Sequence, residues 1–488
     1  MRGGASGAAR SKSAERSLPR GIVRKVDFRG GFDCHNDFIL DVGSKFRAVG
    51  IDTVRRRIAF IIAIAVLSNV ILAVALPRVD EWATEITRIA ASIASGHGFS
   101  SPFASPTGPS AWIPPVYPYL LAGIFRVFGE FTRTSYWVAN GLNIVVHALT
   151  CVVLYRAAGE AFGPRAGWYA ANALAIFPLL FYPLVLLRVL SNQPGHGLFV
   201  PPNVIWYTHL SELAIVLLIW LTLRPPHWAV YGMAWGVVGL LNPTVLTLMP
   251  PFLVWRLRAG ERLRYLGLAA ATAAFCVTPW LVRNYRVFDR PIFIRDNFGV
   301  ELRAGNQLGQ YGLWSGEVHP DRNPYELRLL TTMGEADYCA FAGQQALHFI
   351  RSHPGEFVRD TILRVRYWWF GNPESSRKFP GLVCVKYVPL STFSILALWG
   401  VARALWRKNQ KAELFVAVLL FYPLIYYVTH TFFGLLYQYP IQPEMLALAI
   451  AGLIRNEPTD GVKPPAEAHG SAKLETGHAK LLSRGLPA

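Results

Sequence analysis

Apolar positions in this chain fall into long runs broken by short polar stretches, a pattern that predicts helices able to cross a membrane rather than the alternation of a soluble core. The runs lie at about 58–76, 136–155, 167–187, 204–223, 228–241, 244–255, 265–282, 384–402, 412–430 and 440–454. About ten spans are therefore expected, and the class is an all-α polytopic membrane protein. The run at 115–128 is short for a crossing and predicts a second surface helix.

Two polar intervals interrupt the runs. The first, 77–135, opens with Asp80 and Glu81 and continues as a short helical pattern: Glu81, Glu85 and Arg88 share one face, and Ile86, Ile89, Ala90 and Ile93 share the other. That is the pattern of a helix lying on a membrane surface. Gly96 and Gly98 end it, and SPFASPTGPSAWIPPVYP, with Trp112, Tyr117 and Tyr119, suits an ordered loop at headgroup level. The second, 284–380, carries apolar positions Ala340, Phe341, Leu347, Phe349 and Ile350 at roughly helical spacing, then the aromatic cluster Tyr367, Trp368, Trp369 and Phe370. It predicts helices resting on the membrane, since a structureless loop of that length is uncommon in a folded domain.

Composition agrees: of 488 residues, 52% are hydrophobic and 16% charged. The net charge of +18 could suggest a nucleic-acid binder, but its placement argues otherwise. Arg55, Arg56 and Arg57 precede the first span, Arg156 and Arg165 follow the second, and Arg224 follows the fourth. Arg256, Arg258, Arg262 and Arg264 follow the sixth, and Arg403, Arg407, Lys408 and Lys411 follow the eighth. With ten spans all of these lie on one side, which the positive-inside rule makes cytoplasmic. Both termini are then cytoplasmic, both polar intervals face outward, and the expected location is the plasma (inner) membrane.

The expected organisation is a basic arm at 1–57, an N-terminal bundle at 58–283 carrying the first outward loop at 77–135, an outward segment at 284–380, further spans at 381–455, and a tail at 456–488. The arm holds 13 Lys and Arg against 6 Asp and Glu; it and the tail are expected to be unstructured.

Several chemistries find no support. The five cysteines form no CxxC and no His/Cys cluster at metal-ligand spacing, so no metal site is read; Cys339 and Cys384 alone would both face outward, where a bridge could form. No phosphate-binding GxxxxGK[ST], no GxGxxG after a strand and no HExxH occurs.

The acidic loop carries the candidate chemistry. Asp80, Glu81 and Glu85 are candidate general bases, each with an alternative use: Asp80 as the N-cap of the surface helix, the two glutamates as complements to its positive first turn. Arg283 and Asn284 stand where the seventh span leaves the bilayer, where a guanidinium can hold a lipid phosphate or merely anchor the span. Arg88 could join them. Glu301, His319 and Tyr437 are further polar candidates for contacts to a substrate on the outward side.

Several phrases together resemble the polyprenyl-phosphate-sugar-dependent membrane glycosyltransferases of the GT-C class, near the protein mannosyltransferases and lipid A aminoarabinosyltransferases. They are Glu85-x-x-Arg88-Ile89-Ala90 with Gly96-His97-Gly98-Phe99, Thr107-Gly108-Pro109-Ser110-Ala111-Trp112 with Pro115-x-Tyr117-Pro118, Pro279-Trp280-x-x-Arg283-Asn284-Tyr285, and Tyr437-x-x-Pro440-Ile441-x-Pro443. The resemblance covers residues 80 to 443. It implies a bundle of spans, an acidic base in the first outward loop, and transfer of a sugar with inversion from a polyprenyl phosphate to a lipid, glycan or protein acceptor. A divalent metal is compatible with that chemistry but not required. The register of IAASIASGHGF places Glu85 within the family's acidic motif and Asp80 and Glu81 about two residues before its usual acidic pair. The chain departs from the family where Tyr207, Leu436, Gln438 and Gln442 replace charged residues, and where SNQPGHGLFVPP at 191–202 resembles an insertion. Two other classes share the hydropathy. A transporter or flippase would show ionisable residues deep in its spans, with Arg188 the clearest candidate, and an inactive glycolipid-binding relative would fit the neutralised positions.

Overall fold

The computed structural model describes residues 36–75, 82–181, 205–224, 227–371, 388–431 and 437–454. The expected tail at 456–488, the arm before residue 36, Asp80, Glu81, Arg188, the 191–202 stretch, Cys384 and Leu436 lie outside the described residues. The chain divides into two compact units, Met1–Arg56 and Arg57–Ala488. Helix α1 runs Asn36–Ala75, so residues 36–57, expected to lack structure, are helical.

The remaining helices are α2 (Glu85–Ala94), α3 (Val116–Phe128), α4 (Arg133–Phe162), α5 (Pro164–Ile176), α6 (Thr208–Leu223), α7 (Trp228–Leu241), α8 (Met249–Arg258), α9 (Leu263–Phe288), α10 (Phe298–Gly305), α11 (Pro324–Met333), α12 (Glu335–Ser352), α13 (Pro354–Phe370), α14 (Val388–Trp406), α15 (Ala412–Phe421), α16 (Leu424–Val428) and α17 (Gln442–Leu453). No strand occurs among the described residues; two isolated bridges, Ser100 with Pro109 and Leu313 with Thr431, are the only β pairing there.

Local chemistry explains many of the boundaries. Thr132 caps α4 by accepting the Ser135 N–H at 3.1 Å, and Gly163, at φ 100°, ends it before Pro164 opens α5. Asn323 caps α11 through the Tyr325 N–H, with Pro324 as first helical residue. The predicted surface helix is present as α2 but starts later than expected. Its N-cap is Thr84, not Asp80, and the Thr84 N–H donates to the Thr87 hydroxyl at 2.8 Å.

Four helices are long and apolar enough to cross a membrane: the Asp52–Ala75 part of α1, then α4, α9 and α14. They leave large apolar side chains such as Leu67, Phe275 and Trp399 more than half exposed, as a lipid-facing surface does. The chain is thus a helical membrane protein. Each of the ten apolar runs contains helix, but several are shorter than a crossing, because the backbone breaks within them. The run at 244–255 divides into a 3₁₀ turn, Pro243–Leu248, and α8, and that at 412–430 divides at Pro423 between α15 and α16.

The core is built by α7 against α9, α14 against α17, and α4 against both α5 and α6. Small residues permit the closest approaches. A Cβ at Gly232 of α7 would stand 2.1 Å from the Ala269 carbonyl oxygen of α9, and Gly400 of α14 lies equally tight against Leu448 of α17. On the 284–371 segment, α10 packs on α12, and the expected helices there are present as α10 to α13.

Candidate active site

The site is assembled from the α2 end of the first loop, the 295–321 stretch, residues 426–431 and Tyr437. At α2, Ile86, Ile89, Ala90 and Ile93 are buried as their spacing predicts, and Trp82 is wedged edge-on among Phe125, Phe131 and Tyr136. This fixes the helix start and sets Glu85, half-buried at the first helical position, toward the charges of Asp321, Glu301 and Arg88. Burial, then the negative charges of Asp321 and Glu301, push its carboxyl up to about 7. Arg88, one turn on, donates to Asp321 Oδ1 at 2.9 Å. His319 positions that aspartate: its Nδ1 accepts the Asp321 N–H at 3.2 Å while its ring packs against Trp112, Trp314 and Phe103. Burial lowers the His319 pKa, favouring the neutral ring that this acceptance needs.

Glu301 lies on α10, where Asn297 donates to one carboxylate oxygen at 3.0 Å and His430 to the other at 2.8 Å. A carboxylate only accepts, so the His430 Nε2 carries the hydrogen. Burial alone would raise the Glu301 pKa. The His430 hydrogen bond, with the Arg295 charge, outweighs it and holds the carboxyl at about 2. Two acids that sense each other are thus driven in opposite directions: Glu301 stays ionised, whereas Glu85 exchanges its proton near neutrality.

Arg295, not singled out by the sequence, lies 3.8 Å from Glu301 and hydrogen-bonds Asn297. Burial works against its charge, but Tyr207, Glu301, Tyr426 and Tyr437 overcome this and raise its pKa. Tyr437 stacks on Tyr426 with ring centroids 4.8 Å apart and tilts against His430. The turn carrying His430 is held by a parallel bridge between Leu313 and Thr431 and by Gly305, where a Cβ would stand 1.9 Å from the Thr429 carbonyl oxygen. Fully buried Arg364 donates to the carbonyls of Gly305, Gly312, Tyr427 and Val428 and to Asn306 Oδ1.

Of the sequence candidates, Glu85, Arg88, Glu301, His319 and Tyr437 therefore belong to one polar cluster. Arg283 and Asn284 belong to another. Arg283 donates to the Ser110 and Phe99 carbonyls, at 2.7 and 3.0 Å, and to Asn284 Oδ1, and its guanidinium packs on Trp280. Asn284 donates to the carbonyls of Ile292 and Ile294. Beside them, Glu335 accepts the Ala111 N–H and the Asp296 N–H donates to the Ala111 carbonyl. Burial and the facing Asp296 raise the Glu335 pKa, so that buried acid pair retains a proton. These groups clamp the 99–111 loop. Asp80 and Glu81 lie outside the described residues. Sequence reasoning missed Arg295, Asp321, His430 and the acid pair; only the placement of Arg295 in the polar phrase IRDNFGVE, six residues before Glu301, offered a signal.

Neither a family model nor a curated protein matches the sequence. Among solved structures, the chain is similar to the Archaeoglobus fulgidus oligosaccharyltransferase in the apo form, with 15% identity and a TM-score of 0.42 over 80% of this chain and 50% of that one. The same enzyme in complex with Zn and sulfate gives 16% identity and a TM-score of 0.40 over 80% and 48%. ArnT from Cupriavidus metallidurans bound to undecaprenyl phosphate gives 14% and 0.34 over 81% and 77%. The chain spans about half the length of the archaeal chains it matches.

Proposed function

We propose that the protein is a membrane glycosyltransferase that moves a hexosyl or pentosyl group, with inversion, from a polyprenyl phosphate to a hydroxyl of a lipid, glycan or protein acceptor. In this reading the site faces outward from the plasma (inner) membrane and both termini are cytoplasmic, as the arginine distribution suggests. The observation that carries the proposal is the convergence of Glu85, Arg88, Asp321, Glu301 and Arg295 from separate stretches of a chain that also carries helices long and apolar enough to cross a membrane. The family phrases quoted from the sequence support it.

Glu85 takes the proton of the acceptor hydroxyl as that oxygen bonds the anomeric carbon. The bond from that carbon to the phosphate oxygen breaks, and the polyprenyl phosphate leaves with the electron pair. Arg295 and Arg88 supply the positive charge that the departing phosphate needs, Arg283 and Asn284 support the loop carrying the site, and Tyr437, Glu301 and His319 shape the sugar side. A carboxyl held near pH 7 suits the proton transfer; one held near 2 is too weak a base, which is why Glu85 rather than Glu301 receives the role. The transporter reading would draw on the acidic and His side chains of α4, α6 and α17, where His147, His209, Glu212 and Glu444 are fully buried.

The test is transfer by purified protein in lipid vesicles with polyprenyl-phosphate sugar, followed as release of polyprenyl phosphate. Glu85→Gln should lower turnover by about two to four orders of magnitude with donor binding intact. Normal turnover in this variant removes Glu85 from the chemistry. If Asp80→Asn or Glu81→Gln abolishes transfer instead, the base lies there.

A further inference from the structure

A second cluster lies inside the helices. His147, midway along α4, meets His209 and Glu212, three residues apart on α6, and all three side chains are fully buried. Their ligand-type atoms lie within 4.8 Å of one another. We infer that these three residues form an intramembrane binding site for a divalent ion of the zinc class, tying α4 to α6.

Three observations support the assignment. The contacts are too long for hydrogen bonds: Glu212 Oε2 is 3.5 Å from His147 Nδ1 and 3.6 Å from His209 Nδ1. They do fit the edge of a tetrahedron of nitrogen and oxygen ligands around zinc, which at bond lengths of about 2.0–2.1 Å is about 3.4 Å. Next, His147 Nε2 faces the Leu174 carbonyl at 3.2 Å. A carbonyl only accepts, so the neutral ring carries its hydrogen on Nε2 and turns the Nδ1 lone pair toward the carboxylate. A hydrogen bond from the far ring nitrogen to a backbone carbonyl is also the usual support for a metal-bound histidine. Last, neither oxygen of Glu212 has a hydrogen-bond partner, nor does His147 Nδ1. A divalent cation held between the buried carboxylate and the imidazole nitrogens facing it would satisfy these lone pairs together.

Two imidazoles and one carboxylate are a donor set for zinc, cobalt or nickel rather than for magnesium or calcium. Three protein ligands leave a fourth position. Tyr439, whose ring packs edge-on against His209 and whose buried hydroxyl has no hydrogen-bond partner, borders the cluster. The ion would pin the first turn of α6, and with it Tyr207, its N-cap residue, which faces Arg295.

Purified full-length protein, stripped with a chelator, is titrated with zinc and separately with cobalt, and followed by elemental analysis, cobalt absorption and thermal unfolding. About one ion per chain, the intense visible absorption of tetrahedral cobalt and a raised unfolding temperature are expected. Glu212→Gln and His147→Gln should each weaken binding at least about tenfold, whereas Glu301→Gln, in the other cluster, should leave it unchanged. Absence of stoichiometric binding in the wild type, or binding that survives both bundle substitutions, overturns the assignment. Binding lost in Glu301→Gln but kept in Glu212→Gln overturns it too, by moving the ion to the loops. Should the bundle variants fail to fold, the wild-type titration decides alone: no thermal shift with either metal refutes the site.

Discussion

The Glu85–Glu301 cluster and the His147–His209–Glu212 cluster use the same side-chain chemistry in opposite settings. In the loops, Glu85 is half-buried and Glu301 has neighbours of both signs within reach; in the helices, Glu212 is sealed beside two imidazoles with neither carboxylate oxygen hydrogen-bonded. Where solvent reaches, a carboxyl can be tuned by a neighbour and still release its proton. Where it does not, the charge must be neutralised once and held. In the proposed function the loop cluster is the place for turnover, and in the proposed ion site the helix cluster is a place for permanent structure.

The strongest way to break this comparison is to remove the ionised member of the loop pair. Glu301→Gln loses the charged hydrogen bond with His430 and frees Arg295; a loss of about 1.5–3 kcal/mol, or roughly ten- to hundredfold in transfer, is expected in steady-state assays. An equal effect from Glu301→Gln and Glu85→Gln would erase the distinction between the two acids.

Donor binding separates the two arginines next. Arg295→Ala should weaken binding of polyprenyl-phosphate sugar by about 1.5–3 kcal/mol, with only partial recovery in Arg295→Lys. Arg283→Ala should weaken it less, acting through the loop carbonyls it holds; titration of vesicle-embedded protein reads both. A larger loss at Arg283 would return the phosphate to the site first expected from the sequence.

A pH profile tests the base. Glu85 is active when ionised, so transfer should rise as pH passes through about 7 and the rising limb should vanish in Glu85→Gln. The same raised pKa has a stability consequence of opposite sign. The protonated form is favoured on folding, so that contribution is full below about 4.5 and fades as pH climbs through about 7. Thermal unfolding of Glu85→Gln should show less decline across that window. The smallest expected effect is Gly305→Ala, where a methyl must displace the Thr429–His430 backbone at a cost of about 1–3 kcal/mol, read in denaturation midpoints.

The sequence revealed what periodicity and composition encode. The apolar runs, the two faces of α2 and the helices of 324–370 were legible, and Glu85 and Arg88 could be singled out because a surface helix presents its polar face at fixed spacing. Four helices among the described residues are long enough to cross, and hydropathy does not register the backbone breaks inside the runs at 244–255 and 412–430, after Leu248 and at Pro423. His147 pairs with His209 and Glu212 across 62 to 65 positions, and Glu301 meets His430 across 129. No local spacing foretells such a meeting. The capping of α2 was missed because Asp80 is a plausible cap in isolation, whereas the packing of Trp82 delays the helix to Thr84.

Arg364 has a bearing on the order of events during synthesis. Its guanidinium gathers carbonyls from residues 305 and 312 and from residues 427 and 428, close to the end of the described chain. As the chain emerges from the ribosome, Arg364 arrives with only some of its acceptors in place, and Glu301 arrives without His430. The loop cluster then matures in a late step, and a nascent chain released before residue 427 would carry Arg364 short of two of its carbonyls and Glu301 without its imidazole.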